Sequence, residues 1–555
     1  MTRLLPGDPG AGGYRRLRAA PDEEMLLRRD LGGAAPGERR RSLVSFVQLS
    51  DLHVTDAQSP ARAEYLDRLG DPDRDSAEAV GRVGLYRPQE ALTHQVVEAM
   101  TAAVRRVPGG PGTGVPVSFA VVTGDSTDNA QSNELEAYLA LLDGGRIVRP
   151  DSGLTSRDEG VGSFAAYDTR YYHPDGTPLG EQDDLPRAAR GFPLVPGLFD
   201  AARRPFFAAG LSVPWCAVYG NHDALVGGTL PLGAELAALA IGERKPIGAD
   251  SEPLALLSGN ETAAPAQMWG LLSAPTRPIS PDPRRRLVSA REWIAAHGVE
   301  GRASHGFCTT AREDGRAFYA FDAGDIRFLV LDTVNRAGGW QGSLGGDQMD
   351  WLEEELLAGH RSFLAPSGRR VSHDRADRAF VLLSHHSLGT LTNDFAPDGH
   401  RRYLRADVER LLARFPNVLA WLNGHTHAHR IRAHLAARAV PGARGGFFEV
   451  TTASHIDWPQ QARLVELACD EQSGQIVLFT RTLDHCGLVD PRVGELGDPL
   501  TLAGWSRELA LNAWQGRAGS EPIGRGAGGD RSAALVLDVP GRLAARLGGL
   551  RALLG

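Results

Sequence analysis

Lysine is almost missing from this 555-residue chain: Lys245 is the only one, and arginine supplies the rest of the 60 basic side chains. With 66 Gly and 35 Pro, that bias points to a GC-rich coding sequence and carries no functional information. The formal net charge is −8 and no segment forms a dense basic stripe, so the electrostatic footprint of a nucleic-acid binder is missing. Cysteine is scarce as well. Cys216, Cys308, Cys469 and Cys486 are widely spaced and make no C-x-x-C pair, which argues against a disulfide framework and for a reduced, cytoplasmic protein. No run of about 18 apolar residues exists, so no membrane span is expected. Basic Arg15, Arg16 and Arg18 are followed by no apolar segment, and a signal peptide is not expected either.

What the chain does have is five apolar runs that each stop at a polar, metal-competent side chain. Ala120–Val122 ends in Thr123-Gly124-Asp125, and Phe46–Leu49 in Ser50-Asp51-Leu52-His53. Val218-Tyr219 leads to Gly220-Asn221-His222-Asp223, Val381–Leu383 to Ser384-His385-His386, and Ala420–Leu422 to Asn423-Gly424-His425-Thr426-His427. Continuous β-branched and aliphatic runs are the pattern of buried strands, and ligand sites in open α/β sheets form where such strands end. One such ending means little, but five together make a metal site. An Asp-x-His pair at an extended strand end is expected to point both side chains the same way.

A dinuclear site needs one anionic ligand shared by two cations, and Asp125 is expected to be that bridge, its two oxygens serving two metals. Asp51, His53 and His427 would complete one site, and Asn221, His385 and His425 the other. His385 is nearer the strand than His386, which is the alternative ligand. Imidazole and carboxylate without thiolate favour two divalent or mixed-valence transition-metal ions: Mn, Fe, Zn or Co. Two divalent cations against Asp51, Asp125 and one hydroxide leave a net charge of about +1, an attractive seat for a phosphate oxyanion. A water bridging the metals would be ionised near neutral pH and could attack phosphorus in line.

In this order the motifs D-x-H, G-D-x-x-D, G-N-H-D, a lone His after a strand, and G-H-x-H resemble those of the calcineurin-like metallophosphoesterase superfamily. The hairpin expected from Phe318–Phe321 and Ile326–Leu331 is similar to one in its bacterial members. The resemblance covers roughly 43–486. It implies a four-layer αββα sandwich with two mixed sheets and a dinuclear metal site at the strand ends. It also implies that His222 is no ligand but assists the leaving group or stabilises the transition state, with Asp223 nearby. Here His385-His386-Ser387 lacks the proline that often follows the lone His. The activity implied is hydrolysis of a phosphoester, with a small-molecule monoester or diester such as a nucleotide as substrate. A nuclease or a non-enzymatic scaffold on the same fold are the alternatives. Asp128 is read as a helix N-terminal charge in preference to a partner of a ligand. His455-Ile456-Asp457, just after a strand, is a further candidate for lining the site.

The rest of the chain divides into an N-terminal arm over 1–41, rich in Gly, Pro and Arg and without strand periodicity, a body over 42–486, and a C-terminal helix with a Gly-rich tail over 487–555. Two long excursions, about 143–212 and 225–304, leave from ligand-bearing strand ends and are expected to fold over the metals as a cap.

Overall fold

The computed structural model describes residues 3–70, 84–248, 272–298, 305–514, 517–518, 521–522 and 524–548. In chain order, a hairpin of β1 (Arg3–Pro9) and β2 (Arg15–Ala20) precedes a short β3 (Leu26–Arg28) and the long β4 (Arg40–Leu49). The 1–41 segment therefore carries strands where its Gly/Pro-rich composition gave no strand pattern. Helix α1 (Thr93–Arg105), strand β5 (Phe119–Val122), helix α2 (Ser132–Asp143) and strand β6 (Trp215–Ala217) follow. Next come the hairpin β7 (Tyr319–Ala323) and β8 (Ile326–Val330), helix α3 (Gly346–Ala358), strand β9 (Ala379–Leu383) and helix α4 (Arg405–Leu412). Strands β10 (Val418–Asn423), β11 (Arg430–Leu435), β12 (Gly446–Thr451), β13 (Gln461–Asp470) and β14 (Ile476–Asp484) are succeeded by α5 (Pro499–Asn512), β15 (Ala533–Val536) and α6 (Gly541–Leu547).

These strands build two mixed sheets. The first has seven strands in the order β3-β15-β14-β13-β4-β5-β6, with β4, β5 and β6 parallel and β13 antiparallel to β4. The second has six, β7-β8-β9-β10-β12-β11, with β8, β9, β10 and β12 parallel and the two edge strands antiparallel. Side chains alternate as the two-residue period of a strand requires. On the second sheet Phe328, Val330, Val381 and Leu383 join the core shared with the first sheet, whereas Leu329, Phe380, Leu382 and Trp421 pack against Met349, Leu352 and Leu356 of α3 and Val408 and Leu411 of α4. Phe46 of β4 stacks on Phe119 of β5 at 5.0 Å and meets Phe328 of β8 edge-on at 5.5 Å, which holds the two sheets face to face. Leu543 and Leu547 of α6 are buried in that same core.

The described residues of both excursions are packed. Tyr172, Phe192, Leu198 and Phe199 of the first form a cluster with Leu502, Trp505 and Leu509 of α5. Leu225, Leu230, Leu236 and Leu287 of the second pack on Ala61, Tyr65 and Leu66. Among the described residues no helix is long and apolar enough to cross a membrane. All four cysteines are free thiols.

Candidate metal centre

The parallel strands of both sheets end at one place. β4 delivers Asp51 and His53, β5 delivers Asp125, and the segment after β6 delivers Asn221 and His222; β9 and β10 of the second sheet deliver His385, His425 and His427. Asp51, His53 and Asp125 are 0%, 0% and 1% exposed, while His222, His425 and His427 reach partly to solvent and mark the mouth.

The local backbone differs from the extended strand end expected for Asp-x-His. Asp51, His53, Asp125, His425 and His427 all have positive φ, between 45° and 66°. Asp and His tolerate this left-handed region better than most residues, and such strain collects at functional sites. Each of these five residues sits on a sharp turn that brings its side chain toward the others. The glycine of Gly220-Asn221-His222-Asp223 is needed for close approach: a Cβ there would stand 2.1 Å from the Asp125 amide nitrogen. Buried Asp223 ties the two loops together, accepting hydrogen bonds from the backbone N–H groups of Ser126 (3.1 Å), Thr127 (2.9 Å) and Gly220 (2.9 Å).

Hydrogen bonds fix which ring nitrogens face the centre. His53 Nδ1–H donates to Asp128 Oδ1 at 2.7 Å, and His427 Nδ1–H donates to Asp457 Oδ2 at 2.7 Å. Both Nε2 atoms then carry lone pairs, and they face each other at 3.2 Å. His427 Nε2 also stands 3.2 Å from Asp51 Oδ1, and His53 Nε2 3.7 Å from Asp125 Oδ2. On the other side His385 Nδ1–H donates to the Thr123 carbonyl at 2.9 Å, leaving its Nε2 lone pair 3.1 Å from Asp125 Oδ2 and 3.0 Å from Asn221 Oδ1. The amide of Asn221 is oriented by donation from Nδ2 to the Gly227 carbonyl at 2.9 Å, so its Oδ1 points at His385 and, at 3.0 Å, at His425 Nδ1. Acceptors facing acceptors at these distances repel unless a proton or a cation lies between them. Two donors on one ion at roughly 2.1 Å are about 3.0 Å apart at a right angle and about 3.4 Å apart at a tetrahedral one. The 3.0–3.2 Å separations above match the edges of such polyhedra. The residues fit two metal ions.

Asp125 is shared differently from the expectation. Its Oδ1 accepts the backbone N–H of His222 at 2.7 Å, so Oδ2 alone faces both His53 and His385. Oδ2 is thus the oxygen turned toward both histidines.

Three clusters bring one donor atom from each residue within 4.8 Å: Asp51, His53, Asp125 and His427; His385, His386 and His425; and His53, Asp128 and His222. The second contains both histidines between which the sequence was ambiguous. Both ring nitrogens of His386 are engaged, Nδ1 accepting from the Thr333 hydroxyl at 2.8 Å and Nε2–H donating to the Trp340 carbonyl at 3.0 Å. His386 has no lone pair to spare, and His385 is the residue presented to the centre. In the third cluster the His53–Asp128 contact is itself a hydrogen bond.

The reading of Asp128 as a helix-end charge is corrected. Its carboxylate orients His53, pairs with the buried Arg62 guanidinium and lies 3.3 Å from His222 Nδ1. Arg62 is held in turn by Glu90 at 3.0 Å. Asp457 orients His427 and is gripped by Arg87, whose Nε donates to Oδ1 at 2.7 Å. Nothing in the sequence singled out Arg62 or Arg87, which lie in a stretch that reads only as polar loop. Both excursions pack on that stretch: Tyr172 N–H donates to the Tyr86 hydroxyl at 2.9 Å, and Lys245 Nζ donates to Glu64 at 2.9 Å. His455 belongs to none of the three clusters. It donates from Nδ1 to the Ser50 carbonyl at 2.8 Å and braces that strand end.

Charge is held tightly here. Burial would raise the carboxyl pKa values of Asp125 and Asp51, but His385 beside Asp125 and His427 beside Asp51 override it and keep both low. Burial would likewise lower His385, but the Asp125 carboxylate takes it up to about 9. His53 and His425 go the other way, mainly by burial, and stay neutral. Without metal, then, the site retains protons where cations fit.

No family model matches the chain, and no curated protein does. Among solved structures, a dimetal phosphatase from Danio rerio superposes with a TM-score of 0.35 and 13% identity, covering 80% of this chain and 97% of that one. PhoD superposes with a TM-score of 0.29 and 10% identity, covering 98% of this chain and 83% of that one. At such low TM-scores these likenesses carry no argument about activity, and the chemistry rests on the geometry.

Proposed function

We propose that this chain is a dinuclear metal-dependent hydrolase of phosphoesters, built as the four-layer αββα sandwich that its motifs imply by resemblance. Asp51, His53, Asp125 and His427 would hold one ion; Asp125, Asn221, His385 and His425 the other. The observation that carries this reading is the convergence of those seven side chains, whose ring nitrogens and carboxylate or amide oxygens stand 3.0–3.7 Å from one another around one centre. When bound, two transition-metal ions supply Lewis acidity toward phosphoryl oxygens and acidify the water that serves as nucleophile.

The protein's own groups do the remainder. Asp128 and Asp457 fix the tautomers of His53 and His427, which sets ligand direction and basicity. His222 stands at the mouth, with its backbone N–H on Asp125 and its Nδ1 3.2 Å from the Asp128 carbonyl, so Nε2 is the nitrogen available to a leaving group. Burial pulls its pKa down to about 4. Donation from Nε2 therefore needs the imidazolium, which the negative charge of a phosphoester and the Asp128 carboxylate both favour. Gly227, at the start of the second excursion, closes on the His222 ring, where an added Cβ would lie 3.2 Å from Nε2. That enclosure supports a small monoester or diester as substrate, such as a nucleotide.

The test is elemental analysis of purified protein followed by assay of the Mn-reconstituted form on p-nitrophenyl phosphate and bis(p-nitrophenyl) phosphate. About two ions per chain with hydrolysis of either ester is expected. Fewer than one ion after reconstitution, or two ions with no hydrolysis of any phosphoester, would overturn it.

A further inference from the structure

Beside the mouth of the candidate metal centre stands an aromatic ring that its neighbours cover only in part. Trp340 is 47% exposed and, among the described residues, is the only tryptophan left so open to solvent. Its indole lies 5.9 Å from the His425 imidazole, centroid to centroid, with the planes 30° apart. A half-exposed indole next to a candidate ligand leaves aromatic surface open to a group bound at the mouth.

The backbone beneath it is rigid. Its carbonyl accepts Nε2–H of the buried His386 at 3.0 Å. Asn393, fully buried, donates from Nδ2 to the carbonyls of Gly338 (2.9 Å) and Gln341 (3.1 Å), on either side of Trp340. Gly342 lets the loop lie directly on the His386 ring, where a Cβ would come within 2.6 Å of Cγ. The loop is also tied down by Asn335, which donates to Asn393 Oδ1 at 2.9 Å. A half-bare ring on a fixed backbone is the arrangement of a stacking platform, because little conformational freedom remains to be lost when a flat partner docks. The same contacts give His386 a purpose: it braces the platform while its neighbour His385 faces the metals.

We propose that Trp340 is the specificity surface of the site, stacking against a planar aromatic group attached to the phosphoryl group, as a nucleobase or aryl ring is. This proposal rests on the phosphoester reading above and narrows it to substrates whose organic group presents a π-face within reach of His425. Trp340 would act on binding of the organic group and not on the bond-breaking step, so its loss should appear in affinity and KM before kcat.

The test compares two phosphonates that cannot be hydrolysed and that differ in one ring: benzylphosphonate and ethylphosphonate, titrated calorimetrically into the full-length, Mn-loaded chain. The unaltered protein should bind benzylphosphonate roughly 2- to 10-fold more tightly, the worth of an aromatic pair. Trp340→Ala should bring that ratio to about 1, Trp340→Phe should keep most of it, and Trp340→Leu should lose it while preserving bulk if the alanine variant folds poorly. A preference that persists in all three variants, or no preference in the unaltered protein, would overturn the platform and leave the phosphoester reading standing. Failure of both phosphonates to bind the metal-loaded chain would overturn the phosphoester reading as well.

Discussion

Asp128 is the residue at which the support of the metal centre is most exposed to test. It accepts His53 Nδ1–H at 2.7 Å on one oxygen and takes the Arg62 guanidinium on the other. Changing Asp128→Asn keeps the shape and an acceptor for His53 but removes the charge that raises the basicity of its Nε2. Outer partners of this kind typically change metal affinity or activity by about 10- to 100-fold, or about 1.4–2.7 kcal/mol. Leaving Arg62 with no partner would cost about 3–5 kcal/mol, but Glu90 at 3.0 Å and Glu64 at 3.4 Å still compensate it, so the expected loss of stability is smaller, about 1–2 kcal/mol. The variant should therefore fold and show an uneven defect. In a competition titration with a chromogenic chelator, the ion held by His53 should weaken 10- to 100-fold, and the ion held by Asn221, His385 and His425 by less than about threefold. Equal weakening of both classes, or no change in either, would refute the role given to Asp128.

Asp125→Asn should lower occupancy of both ions and abolish hydrolysis, because Oδ2 faces ligands of both; a variant keeping two ions by elemental analysis and normal turnover would show that the bridge lies elsewhere. His222→Gln should retain both ions yet lose roughly 10²- to 10⁴-fold in kcat on alkyl phosphoesters, with a smaller loss on p-nitrophenyl esters, whose leaving group needs little protonation. In metal-free protein His385 has a pKa of about 9 against 6.5 when unfolded, so its stabilising contribution is complete below pH 6.5 and disappears as pH rises through 9. Calorimetry of chelator-treated protein should accordingly show Tm falling over that interval. Metal affinity should rise over the same interval, as the His385 proton no longer competes.

Much of the site was legible because its ligands sit next to unmistakable strands. Ala379–Leu383 and the stretch from Val418 to Leu422 are continuous apolar runs, and the residues after them had to emerge at a sheet edge. Turn geometry was not legible: Asp51 and His53 lie on left-handed turns, which no spacing rule reveals. The choice between His385 and His386 needed the partners of each ring nitrogen, which come from Thr123, Thr333 and Trp340, remote in sequence. Arg62 and Arg87 escaped for the same reason, since an arginine in a polar stretch looks alike whether it is solvated or clamps a buried carboxylate. Among the strands, β3 and β15 were missed because each is short and gains its identity by pairing with the other across the chain. β11 does alternate, Ile431, Ala433 and Leu435 against Arg430, Arg432 and His434, but arginine and histidine on its open face hid the pattern.

The pairing of β4 with β13 fixes when this protein can fold during synthesis. Residue Arg463 lies opposite Gln48, so β4, an interior strand of the first sheet, lacks one neighbour until some 415 further residues have been made. At about 5–20 residues per second that wait is roughly 20–80 s. His427 must likewise be made before it can meet Asp51 and His53, so the proposed metal centre cannot assemble until 427 of the 555 residues have been made. Through that interval Phe46, Val47 and Leu49 stand on a strand with an unpaired edge, the exposure that invites association with other chains. Production of this protein should thus respond more to slow elongation temperature and chaperone supply than to added metal, which has no assembled site to enter until the last sheet strands emerge.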